Sequence, residues 1–153
     1  MENQFPASAT SARSADMRRS EHPAVSGTEW IVDACGCSAE SLRSQDRLRS
    51  LFEQIISDLD LRTIGETHWH KFPGGGGITG LCLLAESHLA CHTFPEHGSL
   101  CLNLFCCRNR SRWDFEKVLG NLFSASTVNV RSVLRDYVSA EEQELSLHLR
   151  ESQ

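Results

Sequence analysis

The sequence predicts an α+β fold. It is a two-layer sandwich, an antiparallel sheet with helices on one face, in the order β-α-β-β-β-α-β. Three observations carry this. Two amphipathic stretches show apolar residues at helical spacing, one before and one after a central block. That block holds consecutive apolar or alternating stretches of strand length. Glycine and proline punctuate its boundaries.

The first strand is TEWIVDACGC (28–37), ending at Gly36. SAESLRSQDRLRSLFEQIISDLD (38–60) follows. Its Leu48, Leu51, Phe52, Ile55, Ile56 and Leu59 fall on one face of a helix, with polar residues on the other. Ser38 supplies capping chemistry at its start. LRTIGETHWHKF (61–72) is the second strand, and PGGGG (73–77) is a flexible loop. ITGLCLLAE (78–86) is apolar on both faces and reads as a central strand. SHLACHTF either continues it or starts another, and Pro95 ends the run. SLCLNLFCC (99–107) alternates. Leu100, Leu102, Leu104 and Cys106 take the face that should meet helices; Cys101, Asn103, Phe105 and Cys107 take the other. That mixed face suits a second sheet, a subunit interface or a site. SRWDFEKVLGNLF (111–123) is the second helix, with Ser111 and Asp114 as a capping box and Phe115, Val118, Leu119, Leu122 and Phe123 as its apolar stripe. TVNVRSVLRDY (127–137) is the last strand.

Residues 1–26 read as a disordered tail without the apolar core of a secretory signal, 27–138 as one domain, and 139–153 as a polar tail. At 40% hydrophobic and 23% charged residues the composition is that of a soluble globular domain. A net charge of -5 argues against a nucleic-acid partner. No apolar run approaches the roughly 20 residues of a membrane span. Seven cysteines, an odd number with no export signal before them, indicate a reduced, cytoplasmic setting. Most of them should be small core fillers.

Residues 83–99, LLAESHLACHTFPEHGS, gather Glu86, Ser87, His88, Cys91, His92, Glu96 and His97 at the end of an apolar run. The glycine run before them lacks the Lys-Ser/Thr of a P-loop and leads into a strand. Cys35-x-Cys37, His68-x-His70 and His88-x3-His92 lack the paired spacing of structural zinc sites, so no metal is expected. Ser87 lacks the G-x-S-x-G elbow of a Ser/His/acid hydrolase.

Taken together, ITGLCLLAESHLACHTFPEHG followed by LNLFCC resembles the bacterial and archaeal S-adenosylmethionine decarboxylases, which are pyruvoyl-dependent. Their pattern is close to V-S-G-x-x-x-x-A-E-S-H-x-S-x-H-T-W-P-E-x-G, then D-V-F-T-C-G. Gly80, Ala85, Glu86, Ser87, His88, His92, Thr93, Pro95, Glu96, Gly98, Phe105 and Cys107 match it in register. The resemblance covers about residues 27 to 137. Phe94 replaces Trp, Asn103 replaces Asp, Arg108 replaces Gly, and Glu29 stands where histidine is usual.

The resemblance implies a proenzyme that cleaves itself between Glu86 and Ser87. The Ser87 hydroxyl attacks the Glu86 carbonyl, the resulting ester undergoes β-elimination, and Ser87 becomes a covalent pyruvoyl group in place of PLP. That ketone forms a Schiff base with the substrate amine and takes up electrons as CO2 leaves. By the same resemblance, His92 is the base in processing, Thr79 assists the acyl shift, and Cys107 protonates the decarboxylated carbon. Phe72, Phe105 and Glu29 fall at substrate-binding positions, and Cys106 points into the core. The expected partners are a small-molecule substrate and a second copy, as a dimer of processed protomers. The product of S-adenosylmethionine would serve spermidine synthesis. The alternatives are an arginine or ornithine decarboxylase of the same mechanism, and an uncleaved, non-catalytic regulatory homologue.

Overall fold

The computed structural model describes residues 26–108 and 110–137. The expected tails lie outside these residues, except Ser26, which opens the first strand. The elements are β1 (Ser26–Cys35), α1 (Ala39–Leu42), α2 (Gln45–Asp58), β2 (His68–Lys71), β3 (Ile78–Leu84), β4 (Ser87–Phe94), β5 (Ser99–Cys106), α3 (Phe115–Phe123) and β6 (Thr127–Asp136). The strands form one antiparallel sheet in the order β2-β3-β4-β5-β1-β6. This is the expected α+β architecture, with one strand more than the expected order contained.

The extra strand is SHLACHTF. A tight turn at Ala85 and Glu86 reverses the chain, so β4 folds back on β3 instead of continuing it. The 38–60 helix divides in two. Ser44 interrupts it because its hydroxyl caps a fresh start, accepting from Arg47 N–H at 3.3 Å. The 61–72 strand shrinks to β2. Its first half touches the sheet only through a bridge from Thr63 to Leu84, and Gly65 turns the chain at φ +71°. The second helix starts at Phe115 with Asp114 as its N-cap, Oδ1 accepting from Lys117 N–H at 3.2 Å. Ser111 caps nothing. Trp113 is buried before the helix begins, its indole N–H donating to Asp58 at 2.8 Å.

The helices cover one sheet face. Leu48, Leu51, Phe52 and Ile55 of α2 and Phe115, Leu119 and Phe123 of α3 are buried against Val32, Leu89, Leu100, Leu102, Leu104 and Cys106. Thr93 is buried among them and fully used. Its Oγ1 accepts from Ile78 N–H at 2.8 Å and donates to Leu42 C=O at 3.0 Å, tying α1 to β3 and β4. Gly80 is required by close approach, since a Cβ there would lie 2.4 Å from the Trp69 ring. Among the described residues, the other sheet face carries no helix. Leu81 and Leu83, expected to be central and covered, are 48% and 56% exposed on it.

Leu89 is fully buried in β4, the strand that carries Ser87 and His92. Leu89→Ala should therefore lower the unfolding free energy by about 2–5 kcal/mol, read from the urea midpoint. An unchanged midpoint would contradict the burial assigned to this strand.

Candidate active site

Strand register decides which reactive groups meet. Leu84 and Ser87 pair across the β3–β4 ladder, leaving Ala85 and Glu86 as the turn. Neither turn residue has the positive φ of the two-residue turns that match strand twist. The turn is instead held by its neighbours. Ala85 N–H donates to Arg62 C=O at 2.8 Å, and Glu86 C=O accepts from Cys107 N–H at 3.0 Å. The second bond follows from the β4–β5 register, which sets Ser87 opposite Cys106. Ser87 is close to fully extended at φ 157°, and its Oγ accepts from His88 N–H at 2.5 Å. One corner of the sheet thus holds the hydroxyl, the peptide carbonyl preceding it and an amide donor aimed at that carbonyl.

The two cysteines here differ. Cys106 is buried, which pushes its thiol up to about 11 and leaves it a core filler, as expected. Cys107 is only half-buried, beside the turn. Cys91, on the helix-covered face, is likewise raised by burial to about 12.

Thr79 and His92 form a second group. They are direct cross-strand partners, with Thr79 Oγ1 2.5 Å from His92 Nδ1. Phe72 and Phe94 flank the imidazole, with ring centroids 5.5 and 4.5 Å away. With Gly75, Gly77 and Glu96 these rings line a pocket of about 210 Å³. The glycine loop, expected to be flexible, is fastened as one wall of it. Arg43 Nε donates to Gly75 C=O at 2.9 Å, and Lys71 Nζ donates to Arg43 C=O at 3.1 Å. His92 lies five residues beyond Ser87 on β4, roughly 16 Å away at about 3.3 Å per residue. A single chain therefore does not bring Thr79 and His92 to the Glu86–Ser87 bond.

A polar row crosses the open face between the two groups. His88 Nε2 lies 3.1 Å from Asn103 Oδ1, Asn103 Nδ2 donates to Glu29 Oε1 at 2.8 Å, and Arg135 Nη1 donates to Glu29 Oε2 at 2.5 Å. The Asn103 hydrogen bond, with help from Arg135, holds the Glu29 carboxyl below its usual range against the opposing effect of burial. Phe105 lies under the Arg135 guanidinium, 5.5 Å from ring centroid to Cζ.

Sequence reasoning missed Arg110. Its Nη2 donates to Glu86 Oε2 at 2.8 Å, while Arg108 Nη1 lies 3.5 Å from Oε1. The signal was present in C-C-R-N-R, which sets two arginines just beyond a strand end. Among the described residues, no three His, Cys, Asp or Glu side chains gather as a metal site.

The sequence model of the S-adenosylmethionine decarboxylase family matches residues 28–136. The S-adenosylmethionine decarboxylase proenzyme of Archaeoglobus fulgidus is 31% identical over 88 residues, 58% of this chain and 77% of that protein. The proenzyme of the same description from Clostridium kluyveri is 30% identical over 113 residues, 71% of this chain and 86% of that protein. The crystal structure of the adenosylmethionine decarboxylase from Aquifex aeolicus superposes with a TM-score of 0.60 at 23% identity, covering 76% of this chain and 96% of that one. That superposition shows the fold. With a family match over residues 28–136, which include both site groups, the chain belongs to the S-adenosylmethionine decarboxylase family.

Proposed function

We propose that this chain is a self-processing, pyruvoyl-dependent carboxy-lyase that decarboxylates S-adenosylmethionine, supplying decarboxylated product for spermidine synthesis in the cytoplasm. One observation carries the reading. The Glu86–Ser87 peptide sits at a hairpin turn with its carbonyl already on the Cys107 amide. When Ser87 Oγ attacks that carbonyl, negative charge develops on the oxygen facing a fixed donor, which need not reorganise. The residues therefore fit formation of a pyruvoyl group from Ser87, which would supply an electron sink for decarboxylation. Seven free thiols fit a reducing compartment. No helix among the described residues is long and apolar enough to cross a membrane.

The remaining roles follow from position. His92 is the base of processing, with its Nδ1 held by the Thr79 hydroxyl, so that the ring keeps one orientation. Thr79 assists the acyl shift through that contact. Cys107, beside the turn, delivers the proton to the substrate carbon after CO2 departs.

A second copy completes the site. Thr79–His92 and Glu86–Ser87 are roughly 16 Å apart along β4, so His92 of one protomer serves Ser87 of its partner. The open face supplies the contact, since Leu81 and Leu83 are exposed there and Ile31 and Val133 share it. Substrate choice follows from the pocket of Phe72, His92 and Phe94, whose flat walls suit a nucleobase. Glu29 is already engaged by Asn103 and Arg135, and so is not reserved for the cationic side chain of arginine or ornithine.

Three outcomes test this reading. Purified protein offered S-adenosylmethionine, arginine and ornithine separately should release CO2 from the first; release only from arginine or ornithine would sink the substrate assignment. Ser87→Ala should remain one chain on a denaturing gel, whereas Cys107→Ala should cleave yet turn over roughly 10²-fold or more slowly. Normal turnover by Cys107→Ala would remove the thiol from the mechanism. Finally, His92→Ala should stay whole when made alone but be cleaved when co-expressed with Ser87→Ala, because the mixed dimer holds one complete site. Absence of cleavage in that mixture would contradict a site shared between protomers.

A further inference from the structure

The acidic residue before the cut is held in a way the acyl shift alone does not require. Both oxygens of Glu86 face an arginine, Oε2 bonded to Arg110 at 2.8 Å and Oε1 lying 3.5 Å from Arg108. Arg110 holds the Glu86 carboxyl below its usual range, with Arg108 and Arg62 adding to the effect. Beside the scissile bond lies an open pocket of about 530 Å³ lined by Arg62, Arg108, Arg110, Asp60, Ala85 and Glu86. Three arginines there face two carboxylates, a surplus of one positive charge. Arg110 Nε is buried and has no hydrogen-bond partner among the described residues, an uncommon state for a charged donor. The segment that ends at Glu86 is pinned beside Arg62 by the bonds from Ala85 N–H to Arg62 C=O and from Ile64 N–H to Leu83 C=O, each 2.8 Å.

Processing creates one new negative charge at this place. In the elimination step a base takes the Ser87 Cα proton, the C–H pair becomes a Cα=Cβ bond, and the Cβ–O pair leaves with the Glu86 main-chain carboxylate. Water then replaces the Ser87 nitrogen, which departs as ammonia, and the pyruvoyl group remains. The leaving group is thus a carboxylate formed next to an excess cation.

We propose that Arg110, with Arg108 and Arg62, is the receptor for the main-chain carboxylate released at Glu86, and that it speeds elimination by stabilising this leaving group. This rests on the self-processing reading. The new carboxylate closes the charge surplus and accepts from the free Arg110 N–H, in a charge-assisted contact stronger than a neutral one. These arginines act on the leaving group of processing and not on decarboxylation.

The test follows full-length chains made by cell-free translation over time, with and without hydroxylamine. Hydroxylamine splits an accumulated ester to an N-terminal serine, whereas elimination gives pyruvoyl, and intact mass separates the two. Arg110→Gln should form pyruvoyl roughly 10-fold more slowly, the loss of one charge-assisted hydrogen bond, while the hydroxylamine-sensitive ester builds up. Arg110→Lys should recover part of the rate. Arg108→Gln, whose side chain is 74% exposed and whose removal spares the core, should shift the same balance less. Pyruvoyl formation at the wild-type rate in Arg110→Gln, or slowing without ester accumulation, overturns the proposal. A wild-type chain that never cleaves overturns the processing reading instead, and its own time course tells the two failures apart.

Discussion

The hydrogen bond from Cys107 N–H to Glu86 C=O is the contact around which the molecule is arranged. It exists only because three registers agree. The β3–β4 turn must be two residues long, Ser87 must face Cys106, and β5 must end where it does. A slip of one residue between β4 and β5 would send Cys107 to the helix-covered face and Cys106 to the open one. Core packing prevents that slip. Leu100, Leu102, Leu104 and Cys106 are buried on alternate positions, and Thr93 locks the far end of the hairpin to α1. Hydrophobic burial, which has no chemistry of its own, therefore sets the geometry of the Glu86–Ser87 bond.

The same sheet keeps its reactive groups apart. Glu86, Ser87 and Cys107 lie at one end of β4, and Thr79, His92 and the aromatic pocket at the other. Between them the His88–Asn103–Glu29–Arg135 row satisfies its own polar atoms across four strands. Such a row can be covered by another protein surface without leaving a bare charge, which an unpaired glutamate could not. The exposed leucines around it add the apolar area that favours covering.

Much of this was legible in the sequence, for physical reasons. Alternation in 99–107 gave the two faces of β5, and helical spacing gave the buried stripes of α2 and α3. The E-S-H-x3-H-T run marked Glu86, Ser87 and His92 as candidate site residues, while the pairing of Thr79 with His92 emerged only from the β3–β4 register. Boundaries were less legible. Ser38 caps α1 as expected, its hydroxyl accepting from Ser41 N–H, but Ser44 starts a second helix after the turn at Arg43, and Asp114 replaces Ser111 as the cap of α3 because Trp113 is buried just before it. The strand break at Ala85–Glu86 carries no glycine or proline, so local composition did not announce it. Arg110 was hidden for another reason: its partner is 24 residues earlier, and only the folded hairpin brings them together. The division of the site was invisible because linear closeness of Ser87 and His92 suggests proximity that an extended strand denies.

The sheet order has a consequence for a severed chain. Fragment 1–86 would own β2, β3 and β1, and fragment 87–153 would own β4, β5 and β6, so the sheet reads first, first, second, second, first, second. Strand β1 of one polypeptide would be threaded between β5 and β6 of the other, and β3 would still hold β4 through six residue pairs. Neither piece contains an unbroken sheet. The halves would stay interleaved without a covalent link, yet once denatured they would have to find each other by collision, with a yield that rises with concentration. The architecture is assembled most simply while the chain is still whole, so any cut at Glu86–Ser87 would have to come after folding.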